Sequence, residues 1–178
     1  MTILEIKKYP DPILRKKCSP VQISRSKTWS GKEVKEIAPD IKQLINDMIE
    51  TMEENKGVGL AAPQVGILKR IIVAQTDYGS KAFINPEIIK KTKEKEIMEE
   101  GCLSFPDLWL KVERAKGVEI TALDSNGNKI KAEGLLARIL QHEIDHLDGI
   151  LFIDRISFWQ RLKIRKKLKE IEEKYGSR

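Results

Sequence analysis

The chain contains two histidines, and they stand four residues apart in His142-Glu143-Ile144-Asp145-His146. On a helix, residues four apart differ by about 40° around the axis and lie one turn above each other, so both imidazoles can reach one metal ion. Glu143 falls about 60° further round from His146, near enough to reach a water at that ion without being a ligand itself. Such a set suits hydrolysis: the cation acidifies the water, and the carboxylate takes its proton as the oxygen attacks a carbonyl. The bland alternative is a chance string on a polar helix face. Against it, Leu135, Leu136, Ile139, Leu140, Ile144 and Leu147 surround the motif, and imidazoles and carboxyls buried among them are costly without a compensating ion.

Two histidines leave a catalytic centre short of its usual third protein ligand. One metalloprotease class places a third histidine six residues after the second, beyond a glycine; here Gly149 is in place but Phe152 occupies that position. A later helical glutamate is the other common solution, and its candidates, Glu170, Glu172 and Glu173, lie on a basic amphipathic segment that reads as peripheral. Cys102 is the better candidate. It stands in Glu99-Glu100-Gly101-Cys102-Leu103-Ser104-Phe105-Pro106, beside a glycine, in a non-helical stretch able to approach a metal closely. Taken alone, a lone cysteine more often reads as a small buried hydrophobe, and Cys18 is read that way.

The elements that must position these groups follow from periodicity. Ile41, Leu44, Ile45, Met48, Ile49 and Met52 predict a helix with one buried face, Asp40 as its N-cap after Pro39, and Gly57 just past its end. Ser24 to Pro39 is polar, carries Gly31 and reads as a long surface connection. Ile71–Ala74 and Ala82–Ile84 predict short strands bounded by Asp77, Gly79 and Asn85-Pro86, and Val118–Leu123 with Lys129–Ala132 predicts a hairpin about Asn126-Gly127. The motif helix should run from Gly134 to a C-terminal cap at Gly149. A last helix from about Ser157 to Tyr175 sets Ile164, Leu168, Ile171 and Tyr175 opposite Arg161, Lys163, Arg165, Lys166, Lys167 and Lys169.

At 178 residues and 40% hydrophobic content, the chain fits one domain over 1–178. No long apolar run and no basic-then-apolar leader occur, so a cytoplasmic protein without a membrane span is expected. The net charge of +6 is scattered except toward the C-terminus. Cys18 and Cys102 form no recognisable disulfide framework.

Three segments together resemble the peptide deformylase family: Gly57-Val58-Gly59-Leu60-Ala61-Ala62-Pro63-Gln64, Glu100-Gly101-Cys102-Leu103-Ser104 and Gln141-His142-Glu143-Ile144-Asp145-His146, in that order. The resemblance extends from Tyr9-Pro10-Asp11-Pro12-Ile13-Leu14 to Asp154. It implies an α+β fold, with antiparallel or mixed strands around a central motif helix and a further helix at the C-terminus. It implies a metal-dependent hydrolase that removes the formyl group from formyl-methionine of nascent peptides and releases formate. Cys102, His142 and His146 would be the metal ligands, and Glu143 the general base and acid. The Gln64 amide and the Leu103 backbone N–H would donate to the formyl oxygen as it becomes negative, a contribution of about 3 kcal/mol each.

By the same resemblance, Gly59 and its neighbours would hold the peptide extended, and Val58, Met98, Leu135 and Ile139 would line a slot for the methionine, with plain core packing as the alternative. Glu100 and Gly101 join them as expected substrate-binding positions. The implied ion is Fe²⁺, although the donors also suit Zn²⁺, Ni²⁺ or Co²⁺. A monomer is expected. The basic C-terminal helix would contact the ribosome, or else be an ordinary solvated helix. Phe105 and Trp109 make the stretch after the cysteine bulky, which bears on substrate preference. Two other readings compete: a general zinc-type peptidase, and an RNA-binding protein with a structural metal, in which Glu143 and Gln64 would be unnecessary.

Overall fold

The computed structural model of the chain describes residues 2–27, 33–123 and 129–176. In chain order the elements are β1 (Ser24–Lys27), β2 (Glu33–Glu36), α1 (Pro39–Glu54), β3 (Gly59–Ala61), β4 (Ile71–Thr76), β5 (Gly79–Lys91), β6 (Lys95–Cys102), β7 (Phe105–Ala115), β8 (Gly117–Leu123), β9 (Lys129–Glu133), α2 (Gly134–Leu147) and α3 (Phe158–Tyr175). Five strands form one sheet in the order β3-β4-β5-β8-β9, while β6 pairs with β7 and β1 with β2. Every named strand pair is antiparallel; an isolated Ser19–Lys69 bridge is parallel. Among the described residues no helix is long and apolar enough to cross a membrane.

The central sheet is covered on both faces, and β4 shows why. Its side chains alternate: Ile72 and Ala74 join Phe83, Ile120, Leu140, Ile144 and Leu147 beneath α2, whereas Ile71 and Val73 join Met48, Met52, Leu60 and Ile84 beneath α1. A third cluster, Leu14, Phe105, Leu110, Val112, Phe152 and Ile171, ties the β6–β7 hairpin to α3. Eleven consecutive residues of α2, Ala137 to Leu147, are buried.

Several expectations need correction. The Ser24–Pro39 connection contains the β1–β2 pair, in register from Ser24 opposite Glu36 to Lys27 opposite Glu33. Backbone pairing in so polar a segment leaves no hydrophobic alternation to read. Ala38, not Asp40, caps α1; Pro39 takes the first helical position, where its missing N–H costs nothing, and Asp40 sits in the first turn. β5 does not stop at Asn85-Pro86 but continues past it, absorbing the pair in a register shift between Ile84 and Glu87. The β6–β7 hairpin went unpredicted. β8 and β9 pair as expected, though the Asn126-Gly127 turn lies outside the described residues.

Candidate active site

Three structural pieces converge on one point. The C-terminal half of α2 presents His142, Glu143 and His146, the end of β6 presents Cys102, and a 3₁₀ turn after β3, Ala62–Val65, presents Gln64. One ligand atom from each of Cys102, His142 and His146 lies within 4.8 Å of the others. The Cys102 Sγ is 3.3 Å from His146 Nε2. His142 Nδ1 is taken by Glu100 Oε2 at 3.0 Å, which leaves Nε2 as its ligating atom. Residues 7–9 pin the two loops together: the Lys7 N–H donates to Gln64 O (2.7 Å), the Tyr9 N–H to Ser104 O (2.9 Å) and Lys8 Nζ to Leu103 O (2.6 Å).

The residues present fit a divalent cation. Burial disfavours charge on His142, yet hydrogen bonds that it donates to Cys102 and Glu100 outweigh it and raise its pKa to about 10. One thiol and two imidazoles converge there with Nδ1 of His142 held by Glu100, so a divalent cation would meet three donors with the imidazoles neutral. His146, buried and repelled by His142, is held well below the usual imidazole range. Burial pushes Glu143 up to about 7, and its Oε2 has no hydrogen-bond partner among the described residues. A carboxyl poised there can accept and return a proton near neutral pH.

Beneath the donors lies a buried charge network. Glu100 Oε1 accepts from Arg114 Nε (2.7 Å) and Arg138 Nη1 (2.6 Å); Oε2 accepts from Arg114 Nη2 (3.0 Å) and pairs with His142. Burial opposes ionisation of Glu100, but His142 and Arg114 outweigh it and hold the carboxyl down at about 2. Arg114 also donates to Asp145 Oδ2 (2.6 Å), which Arg155 engages from the other side. Glu100 was expected to touch substrate. All four of its acceptor positions are filled, so its side chain orients His142 and only its backbone is left to a ligand.

Gln64 shows how the fold aims an amide. Its Oε1 accepts the Ala61 N–H at 2.8 Å, which turns Nε2 toward Ser104 Oγ (3.2 Å) and Cys102 Sγ (3.4 Å). Gly59 is required by space: a Cβ there would collide with the Glu143 carboxylate and lie 2.9 Å from Ile139 Cγ2.

A cavity of about 540 Å³ opens onto these groups, lined among others by Val58, Gly59, Gln64, Glu100, Gly101, Cys102, Leu103, Leu135, Ile139, His142 and Glu143. Val58 and Leu135, 50% and 57% exposed, stand at its rim, whereas Ile139 is buried. Met98 is not on the walls: it lies further down β6, opposite Val112. Sequence reasoning missed Arg114, Arg138 and Asp145. A signal existed, since Arg114 occupies the inward register that Leu108, Leu110 and Val112 set along β7, and Asp145 sits on the most buried stretch of α2.

A His-Glu-x-x-His helix completed by a hairpin cysteine, inside an α+β frame, defines a metal-dependent hydrolase. The family profile described as polypeptide deformylase matches residues 3–162. A peptide deformylase from Thermodesulfovibrio yellowstonii is 49% identical over 177 residues, covering 95% of this chain and 98% of the relative; peptide deformylase 1 from Clostridium perfringens is 52% identical over 158 residues, covering 86% and 98%. The crystal structure of a plant peptide deformylase superposes with a TM-score of 0.85 at 36% identity, covering 98% of this chain and 92% of that one. The chain belongs to the polypeptide deformylase family.

Proposed function

We propose that the chain removes the N-formyl group from formyl-methionine at the start of nascent peptides through a centre held by Cys102, His142 and His146. The observation that carries the reading is the convergence of those three donor atoms within 4.8 Å beside the carboxyl of Glu143. A divalent cation held by these three residues would polarise the formyl carbonyl and acidify water. Fe²⁺ is the proposed ion on resemblance, and one thiolate with two imidazoles also suits Zn²⁺, Ni²⁺ and Co²⁺.

Glu143 takes the proton of the attacking water and passes it to the leaving amine, so that the C–N bond breaks and formate departs. Gln64 Nε2 and the Leu103 N–H hold the formyl oxygen as charge builds on it. Glu100 fixes the tautomer of His142 by occupying Nδ1. The free edge of β3 receives the substrate backbone as an added strand, and Val58, Gly101, Leu135 and Ile139 surround the methionine.

The whole chain, 1–178, acts as one cytoplasmic monomeric domain in this reading, and the outer face of α3 meets the ribosome. That face is narrower than its composition suggested. Arg161 donates to Asp154 and to Ile153 O, while Lys163, Arg165, Lys166 and Lys169 stay exposed.

The test is formate release from a formyl-Met tripeptide by protein loaded anaerobically with Fe²⁺ or with Ni²⁺, set against an acetyl-Met control. Glu143→Gln should keep its metal and lose about 10²- to 10⁴-fold in turnover. Unchanged turnover in that variant would remove Glu143 from the mechanism.

A further inference from the structure

Along β7 the burial pattern alternates, with Leu108, Leu110, Val112 and Arg114 inward and Trp109, Lys111 and Glu113 outward. Trp109 therefore occupies a register that the strand otherwise gives to charged, solvated side chains, and it is 67% exposed. It serves no core. Its ring leans instead across the backbone of Gly101: a Cβ on that residue would stand 3.0–3.1 Å from three atoms of the indole. Any larger residue at 101 would push the ring off by a few tenths of an ångström, and the indole, beside Cys102, is a wall of the same cavity that holds Gln64 and Glu143. Val58 and Leu135, both half exposed, line that cavity as well.

An extended peptide advances about 3.3 Å per residue and alternates its side chains. With the methionine seated near Ile139 and the formyl group at Cys102, the next side chains must cross the rim. We propose that Trp109 is a specificity-determining residue, an aromatic shelf that packs against a substrate side chain within the two residues after methionine and favours aromatic over small or acidic ones. The inference rests on the deformylase reading. Because the indole contacts a part of the substrate remote from the scissile bond, its effect should lie in KM more than in kcat.

Two peptide series test it, formyl-Met-X-Ala and formyl-Met-Ala-X with X as Ala, Phe or Asp, assayed on the Ni²⁺-loaded protein. In one series kcat/KM for Phe should exceed that for Ala by about three- to tenfold, the range of an aromatic contact. Trp109→Ala should bring that ratio close to one, while Lys111→Ala, the next outward residue on the strand, should retain it. Indole fluorescence gives a second readout: the Phe peptide should change the emission, and Trp109→Phe should abolish the change although Trp29 and Trp159 remain. Formate release with the same Phe-to-Ala ratio in Trp109→Ala and the unaltered protein would overturn the inference and leave the deformylase reading standing. Trp109-dependent fluorescence without formate would do the reverse.

Discussion

Helices α2 and α3 both carry ionisable side chains and use them in opposite ways. In α2, Arg138, Gln141, His142, Glu143, Asp145 and His146 are all buried. Most are engaged: Arg138 by Glu100, Asp145 by Arg114 and Arg155, and Gln141 by the Ala115 backbone at 2.9 Å. In α3 Ile171 is the one residue that is fully buried among those described, and the ion pairs within the helix, Lys167 with Glu170 and Lys169 with Glu173, are long and solvated. Burial without water makes each polar group depend on a particular partner. The difference teaches that charge becomes machinery only where the fold removes the solvent alternative.

The sharpest way to break this contrast is Arg114→Leu. It leaves Glu100 and Asp145 each short of a buried cation, and removing one partner of a buried network costs about 3–5 kcal/mol. Looser support of His142 should also weaken metal binding by about 10- to 100-fold. Urea denaturation and competition with a chelator measure the two effects. A stability loss as small as that of a surface lysine would mean that the network under α2 carries nothing.

Ile171→Ala examines the other helix. The side chain is 4% exposed and packs with Leu14, Phe105 and Phe152, so its truncation should cost about 2–3 kcal/mol. Ile171 does not itself line the cavity, although Phe105 does, and formate release at low denaturant should persist. A loss of turnover equal to that of a metal-ligand variant would show that α3 supports the site directly.

The same physics explains what could be read without coordinates. Both helices were legible because their apolar residues recur at helical spacing, and the His-Glu-x-x-His geometry follows from the period alone. Cys18 was read as a plain buried residue and is one, its thiol pushed up to about 11 mainly by burial. The hairpin that delivers Cys102 was not legible, since Lys95 to Glu99 is exposed throughout and shows no alternation. Nor was the network: Glu100, Arg114 and Asp145 meet across separations of 14 and 31 residues, and no local pattern records such a meeting. Met98 failed for a related reason, because proximity to Cys102 in sequence does not fix how far along β6 the cavity reaches.

Asp154 lies between the two regimes, in the bend that leads from α2 toward α3. Burial works against its charge, but hydrogen bonds from Arg15, the Leu151 N–H and Arg161 together lower its pKa. A depressed folded value means that the unfolded chain takes up the proton first. The stabilisation is therefore complete above the unfolded pKa of about 3.9 and fades as pH falls through the folded value. Asp154→Asn should cost under about 1 kcal/mol at pH 7, given solvent screening, with the two proteins converging as pH falls through the folded value. A gap that stayed constant from pH 7 down to full protonation of the carboxyl would show that ionisation is not the source.

The smallest effect is expected on the outer face of α3. Lys163 and Lys166 are exposed, and replacing both by alanine should change stability by no more than about 0.5 kcal/mol. Turnover of short peptides should not move, because neither residue lines the cavity. If this face meets ribosomal RNA, each lost phosphate contact should lower the slope of log affinity against log salt by about 1, so the double variant should bind purified ribosomes more weakly at low salt and with a slope reduced by about 2. Equal affinity and equal slope would make α3 a solvated cover over the third hydrophobic cluster, whose role ends at Ile171. The contrast between the helices would then be complete, with the chemistry on the buried groups of α2 and only packing on α3.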